Sequence, residues 1–183
     1  MIEGAAQCTH CLSQAPLLDA AFAAVDYAYP WSQVVQEFKF KEQTGWATSM
    51  AHLMRSTPWV EPALESADVL IPMPLSRERL QERGFNQVLV LAQALCPEKI
   101  NINILQRTQN TAPLSSMDRH QRQKSIEHAY VVDAAQTKQL LGKKTVLLDD
   151  VMTTGATLQS AAKALRNAGA AHITALVFAR TPQ

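Results

Sequence analysis

Cysteine is scarce, with three in 183 residues. Three thiols cannot all pair, and Cys8 and Cys11 share one Cys-x-x-Cys. That excludes a disulfide scaffold and points to a reducing compartment with metal or thiol chemistry. Long apolar runs are absent: none approaches the ~18 residues that a membrane span needs, so no membrane insertion is expected. The N-terminus carries Glu3 and no Lys or Arg ahead of the first apolar stretch, which does not read as a signal peptide. There is no internal repeat, no low-complexity tract, no motor motif and no Gly-x-x-x-x-Gly-Lys nucleotide loop. The expectation is a cytoplasmic protein with one main domain. Its 47% hydrophobic and 18% charged residues suit a globular core. A chain of this length buries about 70% of its unfolded surface and needs no staples.

The net charge is only +1, but it is unevenly spread. Between Leu75 and Lys124 stand eight basic residues, Arg77, Arg79, Arg83, Lys99, Arg107, Arg119, Arg122 and Lys124, against four acids. A basic middle suits an anionic ligand, either phosphate groups or nucleic acid; a solvated helix face is the plain alternative.

Apolar periodicity predicts alternating elements. Residues 20–29 read as a strand or hairpin. A helix begins at Pro30, with Val34, Val35, Phe38 and Phe40 on one broad face. Trp46, Met50, Leu53 and Met54 mark a second helix, and Trp59 and Leu64 a short third. Val69-Leu70-Ile71 is a buried strand stopped by Pro72 and Pro74. Helices are expected at 85–95, 118–124, 134–141 and 155–169, and strands at 100–105, 129–132, 145–148 and 173–178, with a long polar loop over 107–118. Strand and helix alternate, so the fold class is α/β with a mainly parallel sheet flanked by helices. Three segments are expected: a Cys-x-x-Cys appendage at 1–18, a helical and strand region at 19–66, and the main domain at 67–183.

The segment richest in chemistry is Val146-Leu147-Leu148-Asp149-Asp150-Val151-Met152-Thr153-Thr154-Gly155-Ala156-Thr157. A buried strand leads into two acids, a loop of hydroxyls and glycine, and a helix. Ligands of open α/β sheets lie beyond the carboxyl ends of the strands. A helix N-terminus offers free N–H groups and partial positive charge to a phosphate. Two carboxylates aimed at that phosphate would repel it. They are better used as acceptors for sugar hydroxyls, one on each side of the strand axis. Phosphate plus ribose is a 5-phosphoribosyl group.

Residues 147–157 resemble the phosphoribosyl pyrophosphate (PRPP) signature of type I phosphoribosyltransferases. The resemblance implies that Asp149 and Asp150 are the catalytic acids and bind the ribose hydroxyls, and that Met152, Thr153, Thr154, Gly155, Ala156 and Thr157 complete the PRPP site. A second string narrows it. Pro72-Met73-Pro74-Leu75 followed by Arg79 and Arg83-Gly84-Phe85-Asn86-Gln87 is similar to the ComF/GntX family, a branch linked to DNA uptake and utilisation. Tyr27-Ala28-Tyr29-Pro30 and Phe38-Lys39-Phe40 resemble the same family. By resemblance, Pro74, Leu75, Ser76 and Arg77 form the pyrophosphate loop. Residues 107–124 form a flexible loop whose Arg119 and Arg122 meet the pyrophosphate. Mg²⁺ would come with PRPP, held mostly by its oxygens and water. The reaction implied is phosphoribosyl transfer to a nucleobase-like acceptor. The alternative is a non-catalytic module binding PRPP or nucleotide, single-stranded DNA and a DNA-uptake helicase.

The chain departs from the family pattern in two places. Ser125 and Tyr130 stand where the flexible loop usually has Asn and Phe. Only Cys8 and Cys11 are present of a usual four-cysteine zinc ribbon, and a closed zinc site wants four ligands. A relic, a partial zinc site completed from elsewhere and a redox pair are three open readings of that pair. No base-selecting hood is recognisable.

Overall fold

The computed structural model describes residues 17–40, 44–108 and 129–182. Cys8 and Cys11, and with them the 1–18 appendage but for its last two residues, lie outside the described residues, as do Arg119, Arg122 and the short helix expected at 118–124.

The centre of the molecule is a four-stranded, all-parallel sheet. β1 (Ala20–Asp26), β2 (Val69–Pro72), β5 (Lys144–Met152) and β6 (His172–Arg180) lie side by side in the order β1-β6-β5-β2. A separate antiparallel ribbon joins β3 (Leu105–Arg107) to β4 (Tyr130–Val132). The two inner strands are apolar on both faces, as a sheet covered by helices on both sides requires. Seven of the nine residues of β6 are buried, and so is the run Thr145, Val146, Leu147, Leu148 of β5.

Side chains alternate along β5, and each face has its own helices. Val146 and Leu148 pack with α1 (Trp31–Phe40), α2 (Trp46–Arg55), α3 (Val60–Ser66) and α5 (Gln87–Leu95). Phe38 and Phe178 are fully buried in this cluster; each such ring contributes about 1.5–3 kcal/mol by leaving water. Leu147 packs on the other face with α6 (Ala156–Asn167) and the β3–β4 ribbon, through Leu158, Ala161, Leu165, Leu105 and Tyr130. The remaining short helix is α4 (Arg77–Arg83), which follows β2 and buries none of its residues.

Several expected boundaries move for identifiable reasons. The strand expected at 100–105 is bent: Ile100 makes only an isolated bridge to Leu70, and pairing starts at Leu105. The helix expected at 134–141 is a 3-10 turn over Ala134–Gln139, capped by the Asp133 carboxylate accepting from the Ala135 N–H. The helix expected from Phe85 starts at Gln87, because Asn86 is its cap. The border expected at residue 67 does not divide two cores. β1 pairs with β6 inside the main sheet, and α1 to α3 share one cluster with α5. Among the described residues, no helix is long and apolar enough to cross a membrane.

Candidate functional site

The register of the sheet makes a notch. Pro72, the last residue of β2, pairs with Leu148, and the Met73 N–H donates to the Leu148 carbonyl at 2.9 Å. β5 runs on through Asp149, Asp150, Val151 and Met152, held on its other side by β6 as far as Arg180. The overshoot of β5 thus faces the loop that leaves β2. α5 and α6, which follow β2 and β5, lie on opposite faces of the sheet, so the notch is a topological switch point, the usual ligand crevice of open α/β sheets.

Both acids therefore belong to the strand rather than following it. The sequence reading ends this strand at Leu148, because the run of β-branched and leucine residues stops there. Pairing with Ala179 and Arg180 of β6 carries it four residues further.

Alternation then sends the two carboxylates to different surroundings. Asp150 is 3% exposed, on the α1 and α5 side. Its Oδ1 is 3.0 Å from the Lys39 ammonium, and its Oδ2 accepts from the Gln87 side-chain amide at 2.8 Å. Asp149 lies on the other side, within the electrostatic reach of Arg107 and Tyr130. Its carboxylate accepts from the Asp150 backbone N–H at 2.9 Å. Burial first, and the Asp150 charge second, push the Asp149 carboxyl up to about 7. Lys39 and Arg107 oppose that rise without cancelling it.

The loop after β5 turns sharply into α6. Gly155 has φ of 78°, the left-handed region that costs other residues a Cβ clash. Thr153, Thr154 and Thr157 are exposed, and the Thr154 hydroxyl accepts from the Ala156 N–H at 3.4 Å. Met152 is 7% exposed, its side chain packed in the apolar cluster of this face.

The Arg83–Gln87 string is a joint whose parts each do a different job. Gly84, with φ of 75°, ends α4, and its N–H donates to the Leu80 carbonyl. The Asn86 side-chain Oδ1 accepts from the Val88 and Leu89 N–H groups and caps α5. The Asn86 amide donates to the Met73 carbonyl at 3.2 Å, which fixes the loop leaving β2. Gln87 holds Asp150, and the Arg83 guanidinium lies 4.8 Å over the Phe40 ring. Phe85 is half-buried, and no contact of its ring accounts for its place in the string. Replacing Asn86 by Ala removes both the cap and the tie. The expected cost is about 1–2 kcal/mol in urea unfolding. A loss under about 0.3 kcal/mol would show that neither bond matters.

In the loop after β2, Pro74, Leu75 and Ser76 are half-buried and Arg77 and Arg79 are exposed. The Ser76 hydroxyl accepts from the Arg79 N–H and caps α4. Of the other middle cations, Lys99 is used structurally, donating to the Leu64 and Glu65 carbonyls at the end of α3. Arg107 lies 5.7 Å over the Tyr130 ring at the base of the ribbon. Cys96, the one cysteine among the described residues, is buried at the end of α5. Burial, and the Glu98 carboxylate that its thiol faces, push it up to about 11, so it is no nucleophile.

Lys39 is the site residue that the sequence reading leaves without a role. It stands four residues after Val35, itself fully buried, so it shares the core-facing side of α1. A lysine at that position calls for a buried anion, and that spacing was the available signal.

The phosphoribosyl transferase domain family matches residues 91–183, half of the chain. The chain is 30% identical to Competence protein F of Haemophilus influenzae over 96% of its length and 79% of that protein. It is 28% identical to DNA utilization protein YhgH of Escherichia coli O6:H1, over 95% of this chain and 78% of that one. Among solved structures, it is similar to glutamine PRPP amidotransferase from B. subtilis, with a TM-score of 0.47 and 14% identity over 77% of this chain and 30% of that one. A switch-point notch with paired acids and a glycine-turned helix start, together with these relatives along nearly the whole sequence, leads to one assignment: the chain belongs to the phosphoribosyl transferase domain family, in its competence protein F (ComF/GntX) branch.

Proposed function

We propose that the notch binds PRPP with Mg²⁺ and transfers its phosphoribosyl group to a nitrogen acceptor, releasing pyrophosphate. The observation that carries this reading is the overshoot of β5, which sets Asp149 between the loop after β2 and the N-terminus of α6. The exposed hydroxyls of Thr153, Thr154 and Thr157 and the N-terminal turn of α6 take the 5′-phosphate. Asp149 accepts from a ribose hydroxyl. Asp150, with both oxygens already engaged, is a positioning residue for Asp149 and Lys39. Pro74, Leu75, Ser76 and Arg77 border the pyrophosphate, and Arg107 stands at the start of the segment expected to be the flexible loop. Negative charge grows on the departing pyrophosphate, and arginines in a site closed to water stabilise it most.

Among the described residues, no group of three acids, histidines or cysteines could hold a metal ion. Mg²⁺ would arrive on PRPP, held mostly by its oxygens and water, with the Asp149 carboxylate as the acid of this chain that could assist. It would neutralise charge on the departing pyrophosphate. The names of the relatives place them in competence and DNA utilization, and we carry that setting, in the cytoplasm, to this chain.

The test is a calorimetric titration of PRPP with Mg²⁺. Binding to the wild type, with a loss of about 100-fold or more in Asp149→Asn, supports the reading. Equal affinity in both would remove Asp149 from the site, and no binding to the wild type would end the proposal.

A further inference from the structure

Beside the notch lies a cavity of about 550 Å³, bounded by Tyr27, Lys39, Phe40, Arg79, Glu82 and Arg83. Its volume is in the range of small-molecule sites. It reaches the acid pair through one side chain, because Lys39 lines it and binds Asp150 at 3.0 Å. Arg83, which also lines it, lies within the electrostatic influence of Asp150.

The cavity has two chemical characters at once. Three cations face one carboxylate, Glu82, among the described lining residues. Lys39 is neutralised by Asp150, which leaves Arg79 and Arg83 to set the sign. The Arg83 Nε is buried and has no hydrogen-bond partner among the described residues. Phe40 is 61% exposed despite its size, and the Arg83 guanidinium stacks on it. An exposed ring beside Tyr27, with a guanidinium plane above it, offers flat surfaces to a flat ligand.

We propose that this cavity is the acceptor site and that the acceptor is a small planar aromatic acid, its ring against Phe40 and Tyr27 and its carboxylate on Arg79 and Arg83. The inference rests on the PRPP reading above and names the class of its second substrate. A nitrogen lone pair of the acceptor forms the bond to C1 of the ribose. The C1–O bond to pyrophosphate breaks, and its electron pair leaves on pyrophosphate. A proton carried by the attacking nitrogen passes to water. Neutral nucleobases leave both arginines unmatched and are the poorer ligands.

Three matched pairs test this by calorimetry on the full chain: orotate against uracil, nicotinate against nicotinamide, and anthranilate against aniline. At least one acid is expected to bind about tenfold or more tightly than its neutral partner. That preference should fall to about threefold or less in Arg79→Gln and in Arg83→Gln, two variants that test the same point independently. Arg79 is exposed, so its variant keeps the core intact. Phe40→Ser should weaken acid and neutral compound alike. Neutral compounds binding as tightly as the acids, or no acid binding while PRPP still titrates, would overturn the acceptor class and leave the PRPP reading standing. Acid binding without any PRPP binding would overturn the acceptor role, and would do so through the failure of the first reading.

Discussion

Asp149→Asn is expected to make the free protein more stable above neutral pH while abolishing PRPP binding. The Asp149 carboxyl is raised from 3.8 to about 7 by burial and by Asp150. Between those two values the folded chain keeps a proton that the unfolded chain has released. Stability therefore falls as pH rises through that window, and levels off once the folded group has also ionised, above about pH 7. The full linkage is on the order of a few kcal/mol. Since Asp149 is only half-buried, solvent screening reduces the expected gain to about 1–3 kcal/mol at pH 8. Asn carries no charge and still offers an oxygen to the Asp150 N–H. In a chain of this size the gain corresponds to a melting temperature higher by about 2–10 °C. Thermal unfolding of wild type and variant at pH 4, 6 and 8 measures it. The two should nearly coincide at pH 4 and diverge by pH 8. A pH-independent gap would mean that Asp149 is not the group that titrates. The coupling of stability gain to binding loss is the signature of a residue kept for its ligand.

Lys39→Met is expected to be the most destabilising single change at the site. Lys39 is 19% exposed at its side chain and Asp150 5%. Removing the ammonium leaves Asp150, among the described residues, with the Gln87 amide. Breaking one side of a buried pair costs about 3–5 kcal/mol, because a charge is stranded. Partial exposure of Lys39 puts the expected loss at the lower end, about 3 kcal/mol. Lys39→Met with Asp150→Asn removes the stranded charge and should recover more than half of it. Urea unfolding of the four proteins gives the coupling energy, and a value under about 0.5 kcal/mol would show that the pair does not act as a pair. Loss of Lys39 also removes a charge that lowers Asp149. PRPP binding that needs the Asp149 carboxylate should then require a higher pH in Lys39→Met than in the wild type.

Much of the site was legible because it is contiguous. Residues 145–157 carry their own instructions: a short apolar run that must be buried, two acids, then a glycine whose φ of 78° turns the chain into a helix. The string Arg83–Gln87 was legible as a joint and as a family mark, and the structure unites the two. Gly84 and Asn86 make the joint, and Arg83 and Gln87 reach the site through it. What could not be read was any assignment that needs a partner distant in sequence. The end of β5 depends on β6, some 28 positions later in the register. The inclusion of β1 in the main sheet depends on the same strand. Lys99 looked like part of a basic ligand surface and is a helix cap, because the carbonyls it binds come from α3.

The sequence by itself determined the class of the fold, through alternating strands and helices, and the chemistry of the loop after β5, since local periodicity and a glycine turn need no distant contact. The tertiary structure alone decided how the two acids differ. Neighbouring strand residues point to opposite faces, so identical side chains at 149 and 150 meet different partners. Lys39 and Gln87, from two other helices, bind the two oxygens of Asp150. Asp149 receives no such cation at bonding distance among the described residues, and burial raises it toward neutrality. The electrostatic environment of a carboxylate is a property of the atoms folded around it, and those come from distant parts of the chain.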